Sequence, residues 1–185
     1  MGGSSKHRGG GGETGLAGGQ RVRKDDPRIE CVGSIDELSS FLGLSLSALR
    51  VDAAVPGTMV DSLRRIQREL YLLGAALARR ENVAGADGEE GITAWHVAAL
   101  DREVEGIDAI LPALRVFILP GGGQAASLLH VARAVCRRVE RQVVRLAAVE
   151  VVGPHVVAYL NRLSLVLFAM ARQAAHRAGA GDEPA

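Results

Sequence analysis

Apolar residues recur along most of this chain at alternating intervals of three and four. One run reads Leu63, Ile66, Leu70, Leu73 and Leu77, and another reads Val97, Leu100, Val104, Ile107 and Leu111. Such intervals return to one side of an α-helix at every turn, whereas a half-buried strand alternates at every second residue. From Ser34 onward the spacing therefore predicts helices. The first carries Leu38, Leu42 and Leu49, with Ser34 as N-cap and Glu37 three positions later, the arrangement of a capping box. Asp36 and Glu37 are then first-turn acids. The two runs quoted above supply the second and third helices, the third following a Thr93 cap. A fourth is expected from about Gln124 to Val149, with Leu128, Val131, Val135, Val139 and Val143 along one side. A fifth starts near Pro154 and ends at about His176. Glycine and proline breakers fall between these segments. Strand-like alternation is confined to the short Arg115–Leu119 run. Amphipathic stripes of this kind are buried by packing side by side, so the predicted fold is all-α, a bundle of five helices.

The beginning of the chain breaks the pattern. Nine glycines fall in the first 19 positions, together with Lys6, Arg8, Arg21, Arg23 and Lys24. Two readings are open. The segment has too little apolar mass to order itself, which describes a disordered tail. It is also rich in backbone that can approach a phosphate closely, which describes a loop ordered by an anion. The chain thus divides into a Gly-rich segment over 1–24, a helical bundle over 25–178 and a C-terminal tail over 179–185.

Charge and composition narrow the function. The formal charge is +1, from 22 basic and 21 acidic residues, and aromatics make up 3%. Neither a global electrostatic grip on nucleic acid nor a stacking platform for single strands is expected. Cys31 and Cys136 stand alone, without a CxxC or a disulfide framework, which suits a reducing compartment. The most apolar window, Val156 to Met170, holds Asn161 and Arg162 at its centre, and a bare membrane span would not. The expected location is the cytoplasm, with no membrane partner.

The fourth helix carries more charge than a plain bundle needs. His130, Arg133, Arg137, Glu140 and Arg141 line one of its faces, and Arg138 and Arg145 extend the positive surface. A solvated charged face is one reading. The other is an anion site, because the stripe follows the turn Phe117-Ile118-Leu119-Pro120-Gly121-Gly122-Gly123, and guanidinium forks bind phosphate bidentately. In the fifth helix, Asn161, Arg162 and Ser164 are either a paired polar face or a hydrogen-bonding edge beside a ligand. Asp36 could pair with an arginine of the stripe. No P-loop, HExxH or zinc-type spacing is present.

Five strings together resemble the PduO-type ATP:cob(I)alamin adenosyltransferases. They are Gly18-Gly19-Gln20-Arg21-Val22-Arg23-Lys24-Asp25-Asp26, Val32-Gly33-Ser34-Ile35-Asp36-Glu37-Leu38-Ser39-Ser40, Phe117-Ile118-Leu119-Pro120-Gly121-Gly122, the stretch from His130 to Arg141, and Tyr159-Leu160-Asn161-Arg162-Leu163-Ser164. They follow the family's order and spacing. The resemblance implies a five-helix bundle forming a homotrimer, with sites for ATP, Mg²⁺ and cobalamin between neighbouring subunits. It also implies a reductase and an adenosylcobalamin-dependent enzyme as partners. The implied reaction moves the 5′-deoxyadenosyl group of ATP to cobalt and releases triphosphate.

Carried over residue by residue, Lys24, Arg137, Arg138, Glu140, Arg141 and Asn161 correspond to ATP-site positions, and Gly9, Gly12, Thr14 and Gly15 fall in the family's N-terminal phosphate loop. Asp36 and Arg133 resemble the pair that bridges subunits at the site. Phe117 resembles the aromatic that takes the place of the corrinoid's lower axial base. The chain departs from the family in two places. Lys6-His7-Arg8-Gly9-Gly10-Gly11-Gly12 replaces a loop that usually holds two threonines and an aspartate, and Leu165 stands where aspartate is usual. A weakened relative that carries or senses ATP or adenosylcobalamin, and a structural helical oligomer, are the alternative readings.

Overall fold

A computed structural model of the chain describes residues 10–50, 57–79 and 91–185. The first helix, α1 (Pro27–Arg50), starts where the chain offers Asp-Pro. Asp26 Oδ1 accepts the Arg28 N–H at 2.9 Å, and the Asp26 carbonyl accepts that of Glu30 at 3.0 Å. This is N-cap geometry, with proline at the first helical position, where a missing N–H costs nothing. The expected cap at Ser34 is therefore corrected. Ser34 is buried within α1, Asp36 and Glu37 lie in the helix interior, and no capping box forms there. A Ser-x-x-Glu spacing also occurs inside helices, and the stronger start signal lay upstream.

The remaining helices are α2 (Gly57–Leu77), α3 (Ala94–Asp108), α4 (Gln124–Ala147) and α5 (Val156–Arg177). α4 packs between α1 and α5, α2 lies against α1, and α3 lies against α5. Leu63, Ile66, Leu70, Leu73 and Leu77 are all buried, as their spacing required. Of the α3 run, Leu100 and Ile107 are buried, and Val97, Val104 and Leu111 pack partly against the core. At the start of α4 the inner side is rotated by one residue. Leu129 and Ala132 are fully buried there, whereas Leu128 is half-buried and Val131 is 40% exposed. Both sets satisfy helical spacing, and the small Ala132 lets α4 approach its neighbours closely. Cys31 and Cys136 are buried and unbonded to each other, and burial pushes both thiols up, so neither is poised as a thiolate. Among the described residues no helix is long and apolar enough to cross a membrane.

The described part of the glycine-rich segment is ordered. β1 (Glu13–Gly15) and β2 (Arg21–Arg23) pair antiparallel with Thr14 opposite Val22. Leu16 and Val22 are buried, and the Ala17 N–H donates to the Ala78 carbonyl at 3.0 Å, which docks this hairpin on the end of α2. Arg28 closes the same end. Its guanidinium donates to the carbonyls of Leu77 and Arg79 and to Glu150 Oε2 at 2.6 Å. A cation at the last carbonyls of a helix complements its dipole.

At the opposite end, the C-terminal residues fold back on the 117–119 segment. Leu119 N donates to the Glu183 carbonyl at 2.8 Å, and Ala185 N donates to that of Phe117 at 2.9 Å. The strand-like Arg115–Leu119 run thus resolves into a single bridge, Ile118 to Pro184. Asp182 anchors the arrangement. It accepts from Arg172 Nη2 at 2.7 Å and lies 3.0 Å from His176 Nε2, while Arg172 also donates to the Pro112 carbonyl. The Arg172 hydrogen bonds, followed by that to His176, hold the Asp182 carboxyl down at about 2. This folded-state value lies below the unfolded value of ~3.9. The clasp therefore contributes fully above about pH 4 and is lost as pH falls through about 2. Asp182→Ala leaves the buried Arg172 uncompensated and is expected to cost about 3 kcal/mol or more at pH 7. Urea unfolding followed from neutral to acid pH should show that loss together with a flattened acid limb. Identical midpoints for the two proteins would contradict the assignment.

Candidate active site

One face of α4 carries His130, Arg133, Arg137 and Arg141 at successive turns, running from buried at His130 to exposed at Arg137 and Arg141. His130 is buried with Nδ1 unpartnered, and burial followed by the Arg133 charge lowers its pKa, leaving the ring neutral near pH 7. Arg133 is half-buried, its guanidinium carbon 5.8 Å from the Phe168 ring centre and its Nε without a hydrogen-bond partner. Burial, followed by the Arg137 charge, lowers its pKa. Arg137 and Arg141 are exposed. Among the described residues, Arg133, Arg137 and Arg141 carry no ion pair, whereas Arg28, Arg65, Arg138, Arg162 and Arg172 each hold a carboxylate. Like charges four apart on a helix destabilise it. Glu140 lies on the same face but turns to Asn161, and a row of three arginines that no carboxylate engages has the form of a site completed by a polyanion.

The other residues anticipated from the sequence are distributed around this row. Glu140 Oε1 accepts from Asn161 Nδ2 at 2.9 Å, so α4 and α5 present these two side chains together. Arg138 instead turns to α1, where it bonds Glu37 and reaches the Ser34 hydroxyl at 3.4 Å. Asp36 is exposed, its carboxylate makes no ion pair among the described residues, and it does not meet Arg133 within one chain. In the hairpin, Gly12 accepts the Lys24 N–H at 2.9 Å, which makes those two cross-strand neighbours beside Thr14 and Gly15. Gly12 has φ +80°, a conformation that favours glycine. Gly9, like Lys6 and Arg8, lies outside the described residues. No hydrogen bond among the described residues joins this hairpin to the α4 row.

Phe117 is 89% exposed, and Val116 and Leu119 beside it are exposed too. The turn that follows is tightly specified. Gly122 has φ +89°, and a Cβ there would lie 2.3 Å from the Ala175 Cβ, so both conformation and space exclude any side chain. Pinned to α5 by this close approach, and to the C-terminal residues by its carbonyl, the segment presents a rigidly mounted apolar ring to solvent. Leaving such a ring in water forgoes about 1.5–3 kcal/mol of burial, and a ligand or partner can supply that cover.

A family model for cobalamin adenosyltransferase matches residues 5–174. The chain belongs to the cobalamin adenosyltransferase family. The corrinoid adenosyltransferase of Bacillus subtilis is 43% identical over 173 residues, covering 92% of this chain and 86% of that relative. The cobalamin adenosyltransferase of Cupriavidus metallidurans is 40% identical over 172 residues, covering 93% and 87%. The solved structure of a variant PduO-type ATP:corrinoid adenosyltransferase from Lactobacillus reuteri, complexed with cobalamin and ATP, superposes with a TM-score of 0.89. That comparison is at 32% identity and covers 97% of both chains. The five-helix architecture expected from the apolar spacing is thus that of a cobalamin adenosyltransferase. The family match also begins inside the glycine-rich segment.

The stacking of Arg133 on Phe168 and the clasp on Asp182 escaped sequence reasoning. Phe168 reads as one more apolar residue of α5, and Asp182 lies in a short tail with no periodicity to interpret.

Proposed function

We propose that this chain is a corrinoid adenosyltransferase that moves the 5′-deoxyadenosyl group of ATP to cob(I)alamin. The cobalt lone pair attacks the ribose 5′ carbon, the Co–C bond forms, and the C5′–O electron pair leaves with triphosphate. The observation that carries the reading is the unpaired arginine row on α4. A departing triphosphate gains charge, and preorganised cations on a rigid helix stabilise it. Arg137 and Arg141 face the phosphates in this reading, with Arg138 and Lys24 completing the basic surround. Gly12 and Gly15 approach the triphosphate with backbone N–H groups and Thr14 with its hydroxyl, and Gly9 belongs to the same family loop. Asn161 and Glu140 supply paired hydrogen-bonding groups that orient the nucleotide. Phe117 occupies the lower axial side of the corrinoid.

Mg²⁺ bound by a nucleotide takes mostly phosphate and water oxygens, with one or two protein carboxylates at most. The donor set fits that kind of ion. Among the described residues no cluster of three or more potential ligands forms a protein cage, and Glu140 has one oxygen uncommitted by the Asn161 bond. Glu140 is the residue that would hold it, and the ion would offset triphosphate charge.

Asp36 and Arg133, both without an ionic partner among the described residues, are proposed to pair across subunits and so make the assembly a homotrimer with shared sites. Light scattering at micromolar concentration is expected to give three times the mass of one chain, and a stable monomer would remove the shared-site mechanism. A reducing, cytoplasmic location fits the two buried free thiols. A reductase that delivers Co(I) and an enzyme that consumes the product are the implied partners. Calorimetric titration with ATP tests the site itself. Saturable, salt-sensitive binding is the expected result, and absence of binding would overturn the reading.

A further inference from the structure

Asn161 is taken above as part of the nucleotide site, and the inference here rests on that reading. A carboxamide is nearly symmetric in shape, but its two ends have opposite hydrogen-bonding sense, so neighbours must fix its orientation. Arg162 Nη1 donates to Asn161 Oδ1 at 2.8 Å, and Asn161 Nδ2 donates to Glu140 Oε1 at 2.9 Å. Flipping the amide would set N–H against guanidinium and oxygen against carboxylate, so only one orientation is allowed. Each end retains capacity for one further hydrogen bond, which a ligand can take.

This lock is only as firm as Arg162. Its side chain is long, rich in rotamers and 43% exposed, and such a group roams unless it is tethered. The tether comes from α3. Asp101 Oδ1 lies 2.7 Å from Arg162 Nε, so a different nitrogen of the same guanidinium from the one that reaches Asn161 is held. Neither α3 nor Asp101 contributes to the five family-like strings or to the site residues named above. Asp101, Arg162, Asn161 and Glu140 therefore form one continuous chain of contacts from α3 through α5 to α4. From this geometry we infer that Asp101 is a positioning residue for the transfer reaction. By holding Arg162 it sets the Asn161 carboxamide, and with it the Glu140 carboxylate, in the orientation that receives the nucleotide.

Its contribution belongs in ligand affinity rather than in folding. Asp101 and Arg162 are 44% and 43% exposed, and ion pairs at that exposure add little to stability. A double-mutant cycle on ATP affinity, measured by calorimetry on the full chain with thermal unfolding in parallel, separates the two. Asn161→Ala is expected to raise the ATP Kd about tenfold, and Asp101→Asn about threefold to tenfold, the size of one lost or weakened hydrogen bond. Asp101→Glu keeps the carboxylate and should restore most of the affinity. Once Asn161 is alanine there is no amide to orient, so Asp101→Asn should add nothing further. The unfolding midpoint should not move in either single variant. An unchanged Kd in Asp101→Asn, or an equal penalty with and without Asn161, would overturn the positioning role while leaving the nucleotide site in place. An unchanged Kd in Asn161→Ala would instead remove Asn161 from that site, and the inference would fall with it.

Discussion

Phe117→Ala is expected to leave the fold standing and to abolish most of the four-coordinate Co(II) state of the bound corrinoid. A phenylalanine that plugs a core costs about 3–5 kcal/mol when truncated. Phe117 is 89% exposed, so its truncation should change the stability of the chain by no more than about 0.5 kcal/mol. The effect should fall on the ligand. If the ring stands where the lower base would coordinate, removing it readmits that base, and axial ligation makes Co(II) harder to reduce. Electron paramagnetic resonance of cob(II)alamin with ATP present should then show the base-off signal reduced to a small fraction of its wild-type share. A variant that forms the base-off species normally would defeat this role for Phe117. A variant that unfolds would mean that the ring is covered in the working assembly.

Arg137→Ala should weaken ATP binding or slow transfer by about tenfold to hundredfold, the equivalent of one charge-assisted hydrogen bond worth roughly 1.5–3 kcal/mol. Arg137 is exposed on α4 and makes no ion pair among the described residues, so its loss leaves no carboxylate stranded and the fold should not suffer. Arg102→Ala is the control. Arg102 is also an exposed arginine, on α3 and outside the proposed site, and should change little. Comparable, negligible effects for both variants would return the α4 row to an ordinary solvated face.

Helix number and most of the core were legible because burial imposes a period. Leu63 through Leu77 could face only one way, and they do. Legibility failed where two registers satisfied the same period, as at Leu128 and Leu129, and where a local signal was ambiguous, as at Ser34. It failed more completely for contacts between residues far apart in the chain. Arg28 with Glu150, Arg172 with Asp182 and Arg162 with Asp101 are each set by tertiary placement, which no spacing rule encodes. In the candidate site the arginine row was visible because a helix face is local. What the sequence did not reveal is which arginines are spent on carboxylates. That distinction separates Arg138, bound to Glu37, from Arg137 and Arg141, which are not so engaged.

The most direct test of the account is an anaerobic reaction of the chain with ATP, Mg²⁺ and chemically reduced cob(I)alamin, followed by absorbance and by analysis of the phosphate product. The account predicts that the Co(I) spectrum gives way to that of adenosylcobalamin, with one intact triphosphate released for each Co–C bond formed. Binding of both ligands without adenosylcobalamin would contradict it and would mark the chain as a carrier or sensor whose glycine-rich loop, lacking the usual threonines and aspartate, no longer supports transfer.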